Sequence, residues 1–176
     1  MVNTHTDADT NGLQAQIWQW LEQVPDPEIP VISVVDLGIV RAVEVQEDQA
    51  ACKVVITPTY SGCPAMKVIA TDIVAVLQQH GVAEVQIETR LSPAWSTDWM
   101  SENGRAQLKN YGIAPPAQQV VDISSISRLH QRAPLVACPR CGSPSTVCIS
   151  QFGSTSCKSL YQCKDCLEPF DYFKAH

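Results

Sequence analysis

Four cysteines in two pairs give the strongest chemical signal in the chain. "CPRCG" contains Cys138 and Cys141, "CKDC" contains Cys163 and Cys166, and 21 residues separate the pairs. A C-x-x-C pair turns two thiolates inward from one tight loop, and Zn²⁺ takes four such donors in a tetrahedron. The spacer is long enough for a β-hairpin that returns the second pair to the first. The spacing therefore predicts a closed four-cysteine zinc ribbon.

The cysteines leave the choice of metal open but indicate the redox compartment. A set of four thiolates does not choose between zinc and iron, so a rubredoxin-like iron site or a labile cluster site stays open. The polar start "MVNTHTDADTNG" lacks the features of a secretory signal, and the sequence has no apolar stretch of about 18 residues. Eight cysteines in such a chain indicate a reducing compartment, where metal ligation is favoured over disulfides. We expect a cytoplasmic protein with no transmembrane helix.

A fifth cysteine stands at the predicted start of a helix, in "TPTYSGCPAM" (57–66). Pro64 favours the first helical position, which predicts that Cys63 lies at or next to the N-cap. A sulfur there faces the unpaired N–H groups of Ala65 and Met66 and the positive end of the helix dipole. These interactions favour the thiolate, which is the nucleophilic and metal-binding form. A reactive thiol and an ordinary cap both remain open at this stage.

The other three cysteines give weaker signals. Cys52 lies within a predicted strand and is expected to be a small core residue. Cys148 and Cys157 lie in the ribbon spacer. If the hairpin turns at Phe152 and Gly153, these two thiols face each other directly. The alternative is that both only pack.

The rest of the chain supplies the elements that must position these thiols. Periodicity and turn residues predict a helix at 12–24, a helix from Pro64 to Gly81, a strand at 84–91 and a short helix at 101–112. Strands at 39–46 and 51–57, joined by the short turn "EDQA", are predicted to form an antiparallel hairpin. The order α-β-β-α-β predicts an α+β fold, a small sandwich of one sheet with helices on a face, followed by the C-terminal four-cysteine zinc ribbon.

Composition and the positions of proline, glycine and serine predict the domain boundaries. Residues 1–11 form a disordered tail, 12–112 an α/β domain, 113–136 a linker and 137–176 the zinc ribbon. The chain is 45% apolar with a formal net charge of −6, and its lysines and arginines are scattered. This composition supports a packed core and argues against a nucleic-acid partner.

Several segments carry a resemblance to known families. "DPEIPVISVVDLGIV" and "TPTYSGCP" resemble the small α/β domain family that includes iron–sulfur cluster assembly factors, over about residues 13–112. Together, "TPTYSGCPA", "PAWSTDWM", "YGIAPP", "FGST", "CKSLYQC" and "EPFDYFK" are similar to the D components of bacterial ring 1,2-phenylacetyl-CoA epoxidase systems. This second resemblance runs nearly end to end.

The resemblance implies an accessory role rather than a catalytic one. Such a protein would assist assembly or insertion of an iron–sulfur or other iron centre during aerobic phenylacetate catabolism. Its partners would be epoxidase subunits, above all the iron–sulfur reductase subunit, and it would form a homodimer. The sequence is consistent with an accessory role, because it has neither the E-x-x-H pair of a diiron site nor the G-x-G-x-x-G of a dinucleotide-binding site.

The resemblance also implies roles for single residues. Cys63 would be the ligand or transfer thiol for a transient iron–sulfur cluster or iron. Asp36 and Thr57 would hold its loop by hydrogen bonds, or only cap turns. Asp26 and Glu28 would be an acid pair, or else loop-capping or solvated carboxylates. Two tryptophans four residues apart would pack in the core or contact a partner. These are Trp95 and Trp99.

Two other function classes compete with this one. A thiol enzyme would use Cys63 as nucleophile, but its only histidine within 12–112, His80, ends an apolar stripe, where packing or capping is expected. A zinc-ribbon adaptor for nucleic acid is disfavoured by the acidic charge balance.

Overall fold

The protein is described by a computed structural model over residues 6–46, 51–116 and 136–175. It divides into two compact units, residues 1–104 and 105–176, with the division inside the helix Glu102–Tyr111. The turn predicted between the first two strands and most of the predicted linker (117–135) lie outside the described residues. The predicted domain boundaries therefore stay predictions.

The first unit has the predicted order of elements. They are α1 (Thr6–Leu21), β1 (Val40–Val45), β2 (Ala51–Ile56), α2 (Met66–Gln79), β3 (Glu84–Thr89), a 3₁₀ turn (Thr97–Trp99) and the start of α3 (Glu102–Tyr111). The backbone of residues 6–11, assigned by the sequence to a disordered tail, is helical and begins α1. Thr6 and Asp7 belong to residue types that favour a helix start, and no proline interrupts the span. Residues 1–5 lie outside the described part.

The sheet of this unit is mixed, with strand order β1-β2-β3. β1 and β2 are antiparallel, as the predicted hairpin requires, and β2 and β3 are parallel. α2 connects the two parallel strands and buries Ile69, Ile73 and Leu77, which share one helix face. α1 contributes the buried Ile17 and Leu21 to the same core. Each fully buried side chain of this size contributes about 1.5–3 kcal/mol, so this core holds β2 and the loop after it in place.

The second unit contains a three-stranded antiparallel sheet in the order β4 (Thr146–Ser150), β5 (Lys158–Cys163) and β6 (Pro169–Phe173). The spacer hairpin is thus confirmed, and the sequence missed β6. Ala114, which the sequence assigned to the linker, pairs with Tyr172 beside β6 and is buried. The α+β fold with a C-terminal ribbon is confirmed.

The register of β4 and β5 contradicts the predicted pairing of the two spacer thiols. Cys148 lies opposite Tyr161, not opposite Cys157. The connection between the strands is longer than a tight turn at Phe152 and Gly153, because β5 begins only at Lys158 and a bulge shifts the register after Cys148. Cys157 is buried, and its sulfur lies 3.0 Å from the hydroxyl oxygen of Thr155.

Within the described residues, no helix combines the length and the apolar composition that a membrane span requires.

Gly38, which leads into β1, is a position that only glycine fits. Its φ is +75°, a left-handed conformation that side chains rarely adopt. A Cβ at this position would lie 2.6 Å from the backbone oxygen of Trp99. Since the clash is with backbone, the segments around Gly38 and Trp99 would have to separate.

We expect Gly38→Ala to lower the free energy of unfolding by about 3 kcal/mol, from backbone strain and the clash with Trp99. Gly12→Ala is the matched control, because Gly12 lies inside α1 with no other atom within 4 Å of its added methyl. The control should stabilise by about 0.5–1 kcal/mol. Urea unfolding followed by tryptophan fluorescence measures both. Equal effects of the two substitutions would contradict this account of Gly38.

Candidate functional site

The candidate thiol lies on the loop that joins β2 to α2. The Thr57 N–H donates to the Ile39 oxygen at 2.8 Å and extends the β1–β2 ladder by one step, and the Thr57 side chain is buried. The loop then turns back, with the Cys63 N–H donating to the Tyr60 oxygen at 3.2 Å. Cys63 is half-buried, and Pro64 beside it is exposed.

Cys63 is not the N-cap of α2, contrary to the sequence prediction. The helix begins at Met66 and its N-cap is Ala65. The Cys63 oxygen accepts a long bond of 3.4 Å from the Met66 N–H, so residues 63–66 form a turn ahead of the helix. The first regular helical bond starts at the Ala65 oxygen, which accepts from the Ile69 N–H at 2.9 Å. Cys63 therefore precedes the helix by a short turn.

Contrary to the sequence prediction, the surroundings of the Cys63 sulfur disfavour its thiolate form. Burial is the largest influence and raises the pKa of Cys63 above its ordinary value. The Ala65 N–H donates to the sulfur and lowers this pKa, the charges of Glu28 and Asp26 raise it, and the Tyr60 hydroxyl lowers it. The predicted N–H donor is present, but desolvation and two carboxylates outweigh it. Cys63 is thus mainly a thiol before a ligand arrives.

Asp26 has a structural role as well as this electrostatic one. It is buried, and its Oδ1 accepts the N–H groups of Glu28 and Ile29 at 2.8 and 2.9 Å. These bonds cap the loop after α1, as the loop-capping alternative proposed. The loop capped by Asp26 thus includes Glu28, the other carboxylate that acts on Cys63.

Asp36 is the hydrogen-bonding centre of a second loop. Its carboxylate accepts from the hydroxyls of Ser33, at 3.2 Å, and Ser101, and from the Asn103 amide at 3.0 Å. Its backbone oxygen accepts from the Ser101 N–H at 2.8 Å. Asp36 therefore ties residues 33–38 to the start of α3. None of these bonds involves Cys63 or its loop, so the role predicted for Asp36 in holding that loop stays a prediction.

Trp95 and Trp99 lie at the junction between residues 33–38 and the start of α3. Trp95 is buried, and its indole N–H donates to the Leu37 oxygen at 3.1 Å. The guanidinium carbon of Arg41 lies 3.6 Å from the ring centroid of Trp99. Packing, rather than a partner surface, thus accounts for Trp95.

His80 lies at the far end of α2 from Cys63. A helix of this length spans about 20 Å, which is too far for proton transfer between the two side chains. The His80 ring stacks on Trp20 with centroids 4.4 Å apart. The packing role predicted for His80 is confirmed.

The second unit brings the four predicted ligand cysteines together. All four sulfurs lie within 4.8 Å of one another. The Cys138–Cys166 and Cys141–Cys163 sulfur pairs are 3.7 and 3.6 Å apart. A tetrahedron with Zn–S bonds of about 2.3 Å has edges of about 3.8 Å. The donor set and its spacing therefore fit Zn²⁺.

The two C-x-x-C loops have the same backbone pattern. The Cys138 N–H donates to the Ser143 oxygen and the Cys163 N–H to the Glu168 oxygen, five residues on in each case. The residue after each second cysteine is left-handed, with φ +77° at Gly142 and +64° at Leu167. The sequence signalled the first of these conformations through glycine and gave no signal for the second.

Without a cation, Cys163 and Cys141 of this cluster have different pKa values. The Cys166 N–H leads the influences that lower the pKa of Cys163 to about 7. The Ser143 N–H lowers the pKa of Cys141, but burial and the neighbouring sulfurs raise it to about 12. Additional thiolates repel one already formed, so a dication is needed to hold four of them together.

Two family models match the chain. The model described as an iron–sulfur cluster assembly protein matches residues 14–88, and the model described as a PaaD zinc beta ribbon domain matches residues 123–174. The chain is also 47% identical to the D component of the putative 1,2-phenylacetyl-CoA epoxidase of Escherichia coli strain K12, over 90% of this chain and 91% of the relative. The chain belongs to the family of these epoxidase D components.

Other relatives match a smaller share of the chain. The Fe-S protein maturation auxiliary factor SufT of Staphylococcus aureus strain USA300 is 34% identical over 48% of this chain and 96% of its own length. A crystal structure of a domain of unknown function, DUF59, from Bacillus anthracis matches with a TM-score of 0.55 and 28% identity over 58% of this chain and 96% of its own. The family of D components thus adds a further module to a domain of this kind.

We expect Glu28→Gln to lower the pKa of Cys63, because the substitution removes a charge that raises it. The pH profile of Cys63 alkylation, followed by mass spectrometry of the peptide that contains it, should shift to lower pH. Glu22→Gln is a matched change at an exposed carboxylate on the turn after α1. A shift of the same size in both variants would show that Glu28 has no specific effect.

We expect the wild-type chain to hold about one Zn²⁺ and Cys141→Ser to hold far less, because serine is a poor ligand for Zn²⁺. Cys148→Ser is the control, since Cys148 is half-buried in the same unit but outside the sulfur cluster. Metal analysis after gel filtration measures the content, and near-ultraviolet circular dichroism reports the packing of Tyr161 and Tyr172. Full zinc content in Cys141→Ser would contradict the predicted ligand set.

Proposed function

We propose that the chain is an accessory maturation factor for a phenylacetyl-CoA epoxidase complex, and that Cys63 is its working thiol. In this role it assists assembly or insertion of an iron–sulfur or other iron centre in a partner subunit. The 47% identity to an epoxidase D component carries the proposal, with support from the match to iron–sulfur assembly proteins over residues 14–88.

The fold supports the choice of Cys63. Asp36, Gly38 and Trp95 each have a structural contact that accounts for them. Cys63 is half-buried between the exposed Gly62 and Pro64, and it is not among the buried core residues of the described part of the chain. A serine or alanine would suffice there for a turn. The sulfur therefore has a chemical rather than a structural reason to be present.

The chemistry of the thiol suits a transferred cargo. Iron would be the substrate of the site rather than a resident cofactor. A single thiol offers one soft ligand, so the partner subunit or solvent must supply the other ligands and the cargo can leave again. Binding a cation at the sulfur releases its proton, and the negative charges of Asp26 and Glu28 favour the approach of that cation.

The ribbon has a different part in this proposal. Cys138, Cys141, Cys163 and Cys166 would form a closed site that holds Zn²⁺ and adds to the stability of the second unit, because a small unit can bury only limited apolar surface. Four protein ligands leave no open position for a substrate. The preferred client is the iron–sulfur reductase subunit of the epoxidase, since it would need a cluster inserted.

A thiol hydrolase or transferase is the second candidate, and the geometry argues against it. Such an enzyme activates its cysteine with a nearby base. His80 lies at the opposite end of α2 and stacks on Trp20. The raised pKa of Cys63 also argues against an enzyme nucleophile at neutral pH.

We expect Cys63→Ser to fold normally and to fail as a maturation factor. The epoxidase subunits are co-expressed with the wild-type chain, with Cys63→Ser, with the control Cys148→Ser, or without this chain. Iron content and turnover of the purified epoxidase are then measured. The serine variant should match the sample without the chain, and Cys148→Ser should match wild type. Full iron content and turnover with Cys63→Ser would contradict the assigned thiol.

A further inference from the structure

Side chains join the two C-x-x-C loops of the second unit outside the sulfur cluster. The Arg140 Nε lies 3.2 Å from a Glu168 carboxylate oxygen, and the Ser143 hydroxyl donates to the Asp165 carboxylate. Arg140 and Ser143 belong to the first loop, whereas Asp165 and Glu168 belong to the second. We call these two contacts the cross-loop pairs.

The cross-loop pairs are reciprocal. Arg140 and Asp165 each stand two residues after the first cysteine of their loop, and Ser143 and Glu168 each stand five residues after it. Each pair therefore joins the earlier position of one loop to the later position of the other. The backbone oxygens of Ser143 and Glu168 also accept the N–H of the first cysteine in their own loop, so both residues are fixed to the loop that they join. Separation of the two loops would break both pairs.

The effect of such contacts on a metal site differs from their effect on a fold. Arg140 and Asp165 are exposed, and Ser143 and Glu168 are half-buried. An exposed ion pair contributes little to the free energy of unfolding, because solvent screens it. Release of Zn²⁺, however, requires that the sulfurs move apart, and loops that are held together return a detached sulfur to its position. The cross-loop pairs should therefore act on the rate of zinc release more than on the stability of the ribbon.

We propose that the cross-loop pairs slow the release of Zn²⁺ from the ribbon by keeping the two C-x-x-C loops together. Their four members are positioning residues for the metal site: Arg140, Ser143, Asp165 and Glu168. This inference rests on the part of the proposed function that gives the ribbon a resident zinc, and it does not depend on the thiol of the first unit. Two of the four ligand cysteines are exposed, so the pairs supply a restraint that burial does not.

The first test measures zinc release from the full-length, zinc-loaded chain. The chelator 4-(2-pyridylazo)resorcinol reports the released metal, and the rate is extrapolated to zero chelator. We expect Arg140→Gln to raise this rate about threefold, because it breaks one pair. Lys164→Gln is the matched control: it removes the same charge from an exposed residue of the second loop, and none of the ion pairs in the described part of the chain includes Lys164. Equal rates in the two variants would show that only charge matters and would overturn the proposal.

Double-mutant cycles separate each pair from the other effects of its members. One cycle combines Arg140→Gln with Glu168→Gln, and the other combines Ser143→Ala with Asp165→Ala. If each pair acts as a unit, the double variant should release zinc about threefold faster than wild type, rather than the roughly ninefold expected of independent effects. The exchange of Arg140→Glu with Glu168→Arg should restore slow release. Independent effects in one cycle would remove that pair from the proposal, and independent effects in both would overturn it.

A folding role would give different results. The Lys164 N–H donates to the Ser145 oxygen at 2.8 Å, and the substitutions of the cross-loop pairs leave this backbone bond between the two loop regions in place. Zinc content and near-ultraviolet circular dichroism before chelation should therefore equal those of wild type. High salt should speed release from wild type more than from Arg140→Gln, since salt screens an exposed ion pair. Loss of zinc or of the near-ultraviolet signal before chelation would indicate a folding role and would overturn the proposal.

The outcomes are separable from those of the proposed function. Full zinc content with unchanged release rates in all variants would reject the cross-loop pairs and leave the zinc site standing. A wild-type chain that holds no zinc would reject the resident metal and this proposal together. The epoxidase assay with Cys63→Ser concerns the first unit alone, and neither of its results alters the release rates expected here.

Discussion

The first unit depends on the hydrogen bonds that the Asp36 carboxylate accepts. These bonds join the loop before β1 to the start of α3. Ser33 lies across a turn from Asp36, whereas Ser101 and Asn103 are distant in the sequence. Gly38 and Trp95 belong to the same junction, one by permitting close approach and one by donating to Leu37. The Thr57 N–H then attaches the end of β2 to the strand that follows this loop. The thiol loop is thus built on a junction that its own residues do not form.

The two kinds of cysteine site differ in how many metal ligands the protein supplies. In the ribbon, four sulfurs at tetrahedral spacing fill every position around a zinc-sized ion. At Cys63, one sulfur meets donors and carboxylates in competition, and burial decides the balance in favour of the thiol. A closed site suits permanent binding, whereas a single, mostly protonated thiol suits temporary binding that begins when a cation displaces the proton. The same chain therefore combines a site suited to a resident metal with a candidate transfer thiol.

Electrostatics at Cys63 also show why a motif can mislead. The short spacing from Cys63 to the helix suggested that the helix end would control the thiol. The turn formed by Pro64 and Ala65 moves the helix start to Met66, so the sulfur receives one backbone N–H rather than the full field of a helix terminus. Asp26 and Glu28, more than thirty residues earlier, then have a larger part than sequence proximity predicts.

The sequence by itself determined what depends on local spacing. Apolar periodicity predicted α2 and its buried face, alternation predicted β1 and β2, and two C-x-x-C pairs predicted the cluster of four sulfurs, because neighbouring residues set each of these patterns. Tertiary structure decided what depends on distant partners. The pairing of Cys148 with Tyr161 and the strand β6 required the register of the ribbon. The protonation of Cys63 was decided in the same way, since desolvation and the charges of two distant carboxylates act through space and leave no periodic signal in the chain.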